Sequence, residues 1–586
     1  MSPSALARGF DRPYGRRVTS VAVLGGGVGG LSVAHELAER GFDVTVYEAR
    51  DAFGGKARSM PVPGSGKDGR PDLPAEHGFR FFPGFYRHLP DTMSRIPHGS
   101  GNVAGNLVAA TRVLLAQAGG RDELIAAAHL PSSPDDLAVA IRFAWELGTG
   151  VGIAPHELAL FTERLLTLLV SSDERRYEQW DRDSWWEYVD AEHRSAAFGK
   201  FLADGLTRTL VAARAREISA RTGGLILCQL LFDLTRAGGR ADRVLNAPTS
   251  EAWIDPWTAH LRARGVTLRS GCEVAGIDCD ERRITGVTVQ GAGGPERIAA
   301  DHYVAALPVE RFRLLLSPAL RAAEPRLAAL PRLVVRWMNG AMFYLDRDVP
   351  LQHGHAIFID SEWALTSISQ AQFWPGVDLR ERGDGRVEGI LSVDISEWER
   401  PARRTGKVAM ACTPDEIRAE VWGQLVDHVD DGSLDAANVL AWFLDPAIQF
   451  PNPTGATNLE PLLVNTAGSW VDRPDAVTRI PNLFLAADFV RTYTDLATME
   501  GANEAARRAV NGILDATGSR APRCATWKLL EPGVLAPFRA LDRLLWRLRR
   551  PPLRPPLRVT AGGAVEPSGP VARALLAVGR RMPRRG

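Results

Sequence analysis

The sequence predicts an α/β fold in which helices flank a parallel sheet. Three observations predict it. A short apolar strand at residues 18–24 leads directly into a glycine-rich turn and a helix. A second strand at residues 43–47 ends at an acidic residue, and another buried strand followed by a helix begins near residue 482. Strands that alternate with helices in this way indicate a parallel sheet.

The composition is that of a folded globular protein with several domains. At 586 residues the chain is too long for one compact core. Hydrophobic residues make up 45% and charged residues 24%, which excludes wholesale disorder. The formal charge of +1 argues against a nucleic-acid partner.

The cysteines predict neither a disulfide framework nor a metal site. They are five in number and contain no CxxC pair. The simplest location for such a chain is the cytoplasm. No uninterrupted apolar stretch reaches the ~18 residues that a membrane-spanning helix requires.

The first element is a βαβ unit. Residues 18–24 form a β-branched, apolar run typical of a buried strand. Residues 31–40 have helical spacing and stop at Gly41, and residues 43–47 form the second strand. The unit predicts a Rossmann-type dinucleotide-binding domain.

The turn between the first strand and the helix carries the pattern G-x-G-x-x-G. Gly25 allows a tight turn, Gly27 allows the backbone to approach a pyrophosphate, and Gly30 allows the helix to pack on the strand. The start of the helix presents free N–H groups to the phosphates. We therefore expect Gly25, Gly27, Val28, Gly29 and Gly30 to bind the cofactor.

Glu48 follows the second strand at the position of the acid in this motif. Its carboxylate is expected to accept hydrogen bonds from the ribose hydroxyls of the adenosine. This favours a dinucleotide without a 2′-phosphate, and leaves NAD and FAD as alternatives.

The string EARDAFGGKARS at residues 48–59 resembles the start of the flavin amine oxidase and phytoene desaturase superfamily. In that superfamily, which includes the hydroxysqualene dehydroxylase branch, an acid is followed by a Gly-Gly-Arg/Lys turn. The resemblance implies FAD as the cofactor. It also implies that the cofactor contacts come from Glu48, Ala49, Gly54, Gly55, Lys56 and Arg58. A solvated basic turn is the structural alternative.

Two further segments extend the resemblance. The strand NLFLAAD ends at Asp488, and Met499 opens a helix that runs to about residue 514. The resemblance implies that Asp488, Met499 and Glu500 close the FAD site, although Ala487 stands where the family usually has glycine. A helix at 249–264 precedes strands at 265–289, where Val274 is expected near the adenine.

The resemblance covers residues 18–514 and implies discontinuous domains. The FAD-binding domain is expected to combine residues 18–92, 249–310 and 470–515. The resemblance also implies an α+β substrate-binding domain, which is expected to combine residues 93–248 and 311–469. Residues 1–17 are expected to be a flexible N-terminus.

The loop EHGFRFFPGFYRH at residues 76–88 lies where family members bring a loop past the flavin ring. His77 and Arg80 are therefore the candidate catalytic residues. The alternative is an aromatic loop packed for stability. Tryptophans at Trp185, Trp186 and Trp337 would suit an apolar tunnel or a core.

The function that this resemblance implies is FAD-dependent removal of hydride from a lipophilic, isoprenoid or polyene, substrate to flavin N5. An allylic C–H bond needs little acid–base machinery, because developing charge spreads over neighbouring double bonds. Amine oxidases commonly use a lysine near the flavin, yet beyond residue 200 only two lysines remain. Lys407 lies in a surface turn and Lys528 lies outside the resembling region. A flavin amine oxidase and a non-catalytic isoprenoid carrier of the same fold are the alternatives. No segment identifies the electron acceptor.

Residues 516–586 form a basic tail. Apolar residues at 534, 538, 541, 545 and 548 recur at helical steps, with arginines on other faces. This predicts a basic amphipathic helix, followed by a Pro/Arg-rich stretch. It is expected either to lie on the anionic inner face of the membrane or to dock on the protein's own surface.

Overall fold

The structure is a computed structural model that describes residues 18–125, 152–205, 213–234, 242–280, 282–429, 431–452, 455–560, 564–570 and 572–574. The expected flexible segment 1–17 lies outside the described residues. No helix among these ranges has the length and apolar character needed to span a membrane.

Two large sheets organise the molecule. Their strands, numbered in chain order, are β1 (Ser20–Leu24), β2 (Asp43–Tyr47), β3 (Arg112–Gln117), β4 (Gly120–Ile125), β5 (Thr267–Arg269), β6 (His302–Ala305), β7 (Asn339–Leu345), β8 (Gly354–Phe358), β9 (Leu365–Ser369), β10 (Gly389–Ile395), β11 (Val439–Leu444) and β12 (Leu483–Leu485).

The first sheet is parallel and has the order β5-β2-β1-β6-β12. Its central strand β1 is buried between neighbours on both sides, with Val21 opposite Val44 and His302. The strands come from three remote parts of the chain. The α/β fold class is confirmed, whereas the domain boundaries stay a prediction.

The second sheet has the order β4-β3-β8-β9-β10-β7-β11 and is largely antiparallel. Only the β3–β8 pair is parallel among its described strands. The apolar side chains of Leu391 and Val393 in β10 join a core with the helix Pro414–His428. Ile390, on the other face, joins a second apolar cluster.

The longer helices cover both sheets and form a separate lobe. In chain order they are α1 (Val28–Ala38), α2 (His88–Ser94), α3 (Pro155–Val170), α4 (Ala220–Leu234), α5 (Asp255–Ala263), α6 (Pro414–His428), α7 (Met499–Thr517) and α8 (Ala536–Arg547). Helices α1 and α7 pack against each other beside the first sheet.

Shorter strands pair outside the two sheets. They are Ser59–Pro61 with Pro74–Glu76, Phe82–Pro83 and Leu107–Ala110 with Asp242–Leu245, the three-stranded meander Glu273–Cys279, Ile284–Gly291 and Gly294–Ile298, Val334–Arg336 with Leu462–Val464, Ile448–Asn452 with Gly455–Asn458, Pro97–His98 with Gly101–Asn102, and Leu557–Val559 with Val565–Pro567.

Two predicted helices differ from the observed ones in their first turns. Helix α1 begins at Val28 rather than residue 31, because Gly27 is already extended and starts the helix inside the glycine turn. The predicted helix 249–264 starts as a π-helical turn at Ser250–Ile254 before α5. Pro256 lies at the junction, where it has no N–H to donate.

The tail helix docks on the protein. Val534 and Phe538 are buried against the helical lobe that contains α3 and α4. The Asp542 carboxylate is buried and accepts from Arg175 Nε at 3.0 Å and from the Ser172 N–H at 2.8 Å. Arg543 Nε pairs with Glu174 at 2.8 Å. Docking on the protein's own surface therefore accounts for one face of this helix.

Candidate active site

A cavity of about 1010 Å³ lies at the carboxyl ends of the first sheet. The residues that follow four of its strands line it, namely Gly25, Glu48, Ala306 and Ala486. Open α/β sheets bind ligands at this edge. The predicted residues Gly27, Val28, Gly29, Ala49, Gly54, Gly55, Lys56, Val274, Asp488 and Met499 also line the cavity, as do His77 and Arg80.

The glycine turn needs glycine for steric reasons. Gly25 has a φ of 108°, and a Cβ there would lie 2.7 Å from the Ala306 carbonyl oxygen. A Cβ on Gly30 would lie 1.9 Å from the Gly25 carbonyl oxygen. Gly30 thus holds α1 against the turn and does not itself line the cavity, which agrees with the packing role expected for the last glycine of the motif.

Glu48 fixes the turn from the end of β2. Its carboxylate is buried and accepts from the Gly26 N–H at 2.8 Å and the Arg50 N–H at 3.0 Å. A carboxylate oxygen has more than one acceptor site. The residue therefore keeps capacity for a ribose hydroxyl while it holds the backbone of the turn.

The turn that contains Gly54 and Gly55 lies against the first glycine turn at Gly27. Gly27 and Gly54 form an isolated parallel bridge, and a Cβ on Gly55 would lie 3.0 Å from the Gly27 Cα. Lys56, the next residue, pairs with Glu310 at 2.9 Å and donates to the Pro461 carbonyl. Two backbone segments without side chains therefore face each other, and the Lys56 ammonium group lies beside them.

Two helix N-termini also point into this part of the cavity. Val28 and Gly29 open α1, while Thr498 and Met499 open α7. The Thr498 hydroxyl caps α7 by accepting from the Gly501 N–H at 3.1 Å. Free N–H groups and the positive end of a helix dipole favour phosphate oxygens.

Asp488 lies in the wall between these helix ends. The pKa of Asp488 is raised, first by burial and also by the charge of Glu310, while the Lys56 cation opposes the shift. The combination of bare glycine backbone, two helix starts and one cation fits the pyrophosphate of an adenine dinucleotide.

Two further predicted cofactor residues lie outside the cavity lining and contact other groups, and their cofactor roles stay a prediction. Glu500 is buried outside the cavity lining, and its carboxylate accepts from the backbone N–H groups of Arg87, His88 and Leu89. It caps the start of α2, where a negative charge stabilises the helix dipole. Arg58 donates to the Gly55 carbonyl at 2.6 Å and pairs with Glu460 at 3.7 Å, also outside the lining.

The loop that contains His77 and Arg80 forms the opposite wall. Gly340 in β7 donates its N–H to the His77 carbonyl at 2.6 Å, which fixes the loop on the second sheet. Arg80 Nη2 donates to the Lys56 carbonyl at 2.8 Å and so joins the two walls.

His77 is buried beside a carboxylate. Its Nδ1 contacts Asp445, which also accepts from the Asn339 side-chain amide at 2.6 Å and the Ala447 N–H at 3.0 Å. Burial lowers the pKa of His77, while Asp445 raises it. Desolvation would raise the pKa of Asp445, but the hydrogen bonds that it accepts lower it.

The family assignment follows from the sequence. The family model described as "Flavin containing amine oxidoreductase" matches residues 28–514. The chain belongs to this family. It is an FAD-dependent oxidoreductase, and its glycine loops and helix ends are the groups that would hold the FAD. The non-catalytic carrier alternative is therefore set aside.

Curated relatives of this flavoprotein include carotenoid desaturases. It is 26% identical over 82% of its length to 15-cis-phytoene desaturase of Synechococcus elongatus, with 93% of that protein covered. It is 28% identical to zeta-carotene desaturase of Synechocystis, where the match spans 50% of this chain and only 59% of the relative. It is 26% identical over 90% of its length to carotenoid phi-ring synthase of Streptomyces griseus, with 93% of that protein covered.

Solved structures of similar fold include amine oxidases. Cyclohexylamine oxidase from Brevibacterium oxydans has a TM-score of 0.57 at 15% identity, over 86% of this chain and all of that one. Putrescine oxidase bound to putrescine has a TM-score of 0.57 at 14% identity, over 85% and 99% of the two chains. These similarities confirm the fold of the flavoprotein.

Two acidic residues of the site had no local sequence signal. Asp445 and Glu460 come to this wall from separate loops and contact His77. Trp337, which was expected to suit an apolar tunnel or a core, lines the cavity. Asp394 had one available signal, since it is the only charged residue in the buried strand GILSVDI. Trp185, by contrast, packs against Phe161 in the core of the helical lobe.

Proposed function

We propose that this flavoprotein removes two hydrogens from an isoprenoid or polyene chain and so forms a new double bond. The residues that line the cavity are the main support for the proposal. Its glycine-lined part continues into an apolar part lined by Ile226, Leu230, Leu463 and Val464. Such a wall suits a hydrocarbon. The names of the curated relatives add support.

When bound, FAD would act as the two-electron acceptor. The protein supplies position and exclusion of water. Burial lowers the pKa of His77, which favours its neutral form at the cavity wall. Arg80 keeps a cation between the two walls through its bond to the Lys56 carbonyl. We propose these two residues as the groups beside the reacting part of the substrate.

Amine oxidation is the second candidate, because solved structures of similar fold include amine oxidases. The two lysines beyond residue 200 do not support it. Lys407 is exposed and pairs with Glu416 at 2.6 Å, and Lys528 pairs with Asp173 at 2.8 Å. Neither lysine lines the cavity.

The test is anaerobic mixing of the FAD-loaded protein with two classes of substrate. We expect 15-cis-phytoene or ζ-carotene in detergent to bleach the oxidised flavin, and putrescine or cyclohexylamine to leave its spectrum unchanged. Bleaching by the amines alone would contradict the proposal and select the second candidate.

We also propose that the exposed face of α8 contacts the anionic inner face of the membrane, so that a lipophilic substrate enters from the bilayer. Leu544 in α8 and Leu548 at its C-terminal end are 53% and 60% exposed, and the exposed arginines Arg547 and Arg550 lie beside them in the chain. Each basic residue near an anionic surface contributes ~1 kcal/mol.

Substitution of this face is a sharper test than deletion of the tail, because deletion would remove the buried Asp542 as well. We expect Leu544→Ser with Leu548→Ser to weaken co-sedimentation with anionic liposomes. Val471→Ser is the matched control, since Val471 is 66% exposed outside the tail. Unchanged co-sedimentation of the double variant would discard the proposal.

A further inference from the structure

Asp394 is a buried carboxyl group in the cavity wall that none of the roles above uses. It lies near the end of β10, opposite Gly340 in β7 and Thr366 in β9. Its exposure is 3%, and it lines the same cavity as His77 and Arg80. Burial of a carboxyl group costs free energy unless a charged or hydrogen-bonding partner compensates for it.

Its two oxygens differ. The Phe79 N–H donates to the carboxyl group, whereas Oδ1 has no hydrogen-bond partner among the described residues. Oδ1 lies where a side chain on Gly78 would be, 2.5 Å from the position of a Cβ. Gly78 therefore leaves room for this oxygen.

The charges around Asp394 come from three elements. Arg80 lies in the same loop as Phe79, Glu76 ends the strand before that loop, and Asp445 follows β11. Burial raises the pKa of Asp394 to about 7; Arg80 and the Phe79 N–H lower it, while Glu76 and Asp445 raise it. A general base works best when its pKa lies near the working pH.

We propose that Asp394 is the catalytic residue that accepts the proton when the new double bond forms in the substrate. The proposal rests on the dehydrogenation proposed above and adds a proton acceptor to it. It also revises the expectation that such a reaction needs little acid–base machinery.

The atoms and electrons balance. One substrate carbon gives up a hydrogen with both bonding electrons to oxidised flavin, which is the oxidant. The neighbouring carbon gives up a proton to the Asp394 carboxylate, and the electron pair of that C–H bond becomes the π bond. The carboxyl group then releases its proton to water, and an external two-electron acceptor reoxidises the flavin.

The first experiment follows anaerobic flavin bleaching by 15-cis-phytoene as a function of pH. In the wild-type protein we expect the rate to rise with pH through about 7, because the carboxylate is the active form. Asp394→Asn should lower the rate about 100-fold and abolish this rise. A variant that bleaches at the wild-type rate with the wild-type pH profile would overturn the proposal.

The second experiment does not depend on turnover. Infrared difference spectra of the wild-type protein should contain the C=O band of a protonated carboxyl group that disappears as the pH rises through about 7 and shifts when phytoene is added. Asp394→Asn should lack the band. Asp348→Asn should keep it, since Asp348 has a carboxyl group whose pKa burial also raises but does not line the cavity.

The two experiments separate two failures. If no polyene bleaches the wild-type flavin, the proposed dehydrogenation is wrong, and the proton-accepting role of Asp394, which rests on it, is wrong as well. If phytoene bleaches the flavin but the carboxyl C=O band is absent or does not shift when phytoene is added, the proposed dehydrogenation is supported and the role of Asp394 is wrong.

Discussion

The wall of the cavity formed by the glycine loops and the wall that faces it are held in place by different means. The first wall is mostly backbone, placed by a short strand, a turn and a helix that follow one another in the sequence. The second wall consists of buried side chains, such as His77, Asp394 and Asp445, which meet only because the second sheet brings them together. The difference predicts that substitutions in the first wall abolish cofactor binding, while those in the second change the reaction.

The largest effect is expected from Gly29→Val. A Cβ on Gly29 would lie 2.1 Å from the Ala486 carbonyl oxygen, so the start of α1 would have to move away from β12. Overpacking of this kind costs about 1–3 kcal/mol, and the shift also separates the two helix ends that face the phosphates. We expect purified protein without the visible flavin spectrum.

Gly376→Ala is the control for that substitution, because a Cβ on Gly376 would meet nothing within 4 Å. It should retain FAD. A yellow Gly29→Val protein with wild-type FAD content would contradict the role given to the first wall.

In the second wall, Asp445→Asn should reduce turnover and leave the FAD content unchanged. The substitution removes the charged partner of His77, and a hydrogen bond to a charged group contributes about 1.5–3 kcal/mol. The rate of anaerobic bleaching should fall roughly 10- to 100-fold. Loss of the flavin from this variant, with the fold intact, would contradict the claim that the second wall affects the reaction and not cofactor binding.

Glu500→Gln separates a cap from a cofactor ligand. Its carboxylate accepts the N–H groups at the start of α2, so the amide should lower the free energy of unfolding by about 1–3 kcal/mol. The flavin spectrum and the FAD affinity should stay as in the wild type, as urea unfolding and FAD titration would show. A weakened FAD affinity at unchanged stability would support the expectation made from the sequence.

The smallest effect is expected from Lys407→Ala. Lys407 is exposed and outside the cavity, where it pairs only with Glu416 among the described contacts of its side chain. Bleaching by phytoene should be unchanged. A fall in the rate would bring back a lysine-dependent mechanism of the kind that amine oxidases use.

The sequence predicted the first wall well because its signals are local. The steric demands on Gly25 and the acid at the end of β2 depend on residues close to them in the chain. The cofactor role of Glu500 stays a prediction. The sequence places this carboxylate at the start of α7, but it does not show that three backbone N–H groups at the start of α2 donate to it.

The second wall was largely beyond sequence reasoning. Asp394 and Asp445 are separated from His77 by hundreds of residues, and their proximity depends on the register of β10, β7 and β11. The tail illustrates the same limit. Its helix was predicted from periodicity, but the buried pair of Asp542 with Arg175 that docks it joins residues too far apart to show a pattern.

The central claim is that the cavity holds FAD beside a polyene from which two hydrogens are removed. The most direct measurement is the mass of 15-cis-phytoene recovered after one anaerobic turnover of the FAD-loaded protein. We predict a product lighter by two hydrogens, formed in proportion to the flavin that is bleached. Recovered phytoene of unchanged mass beside bleached flavin would contradict the claim.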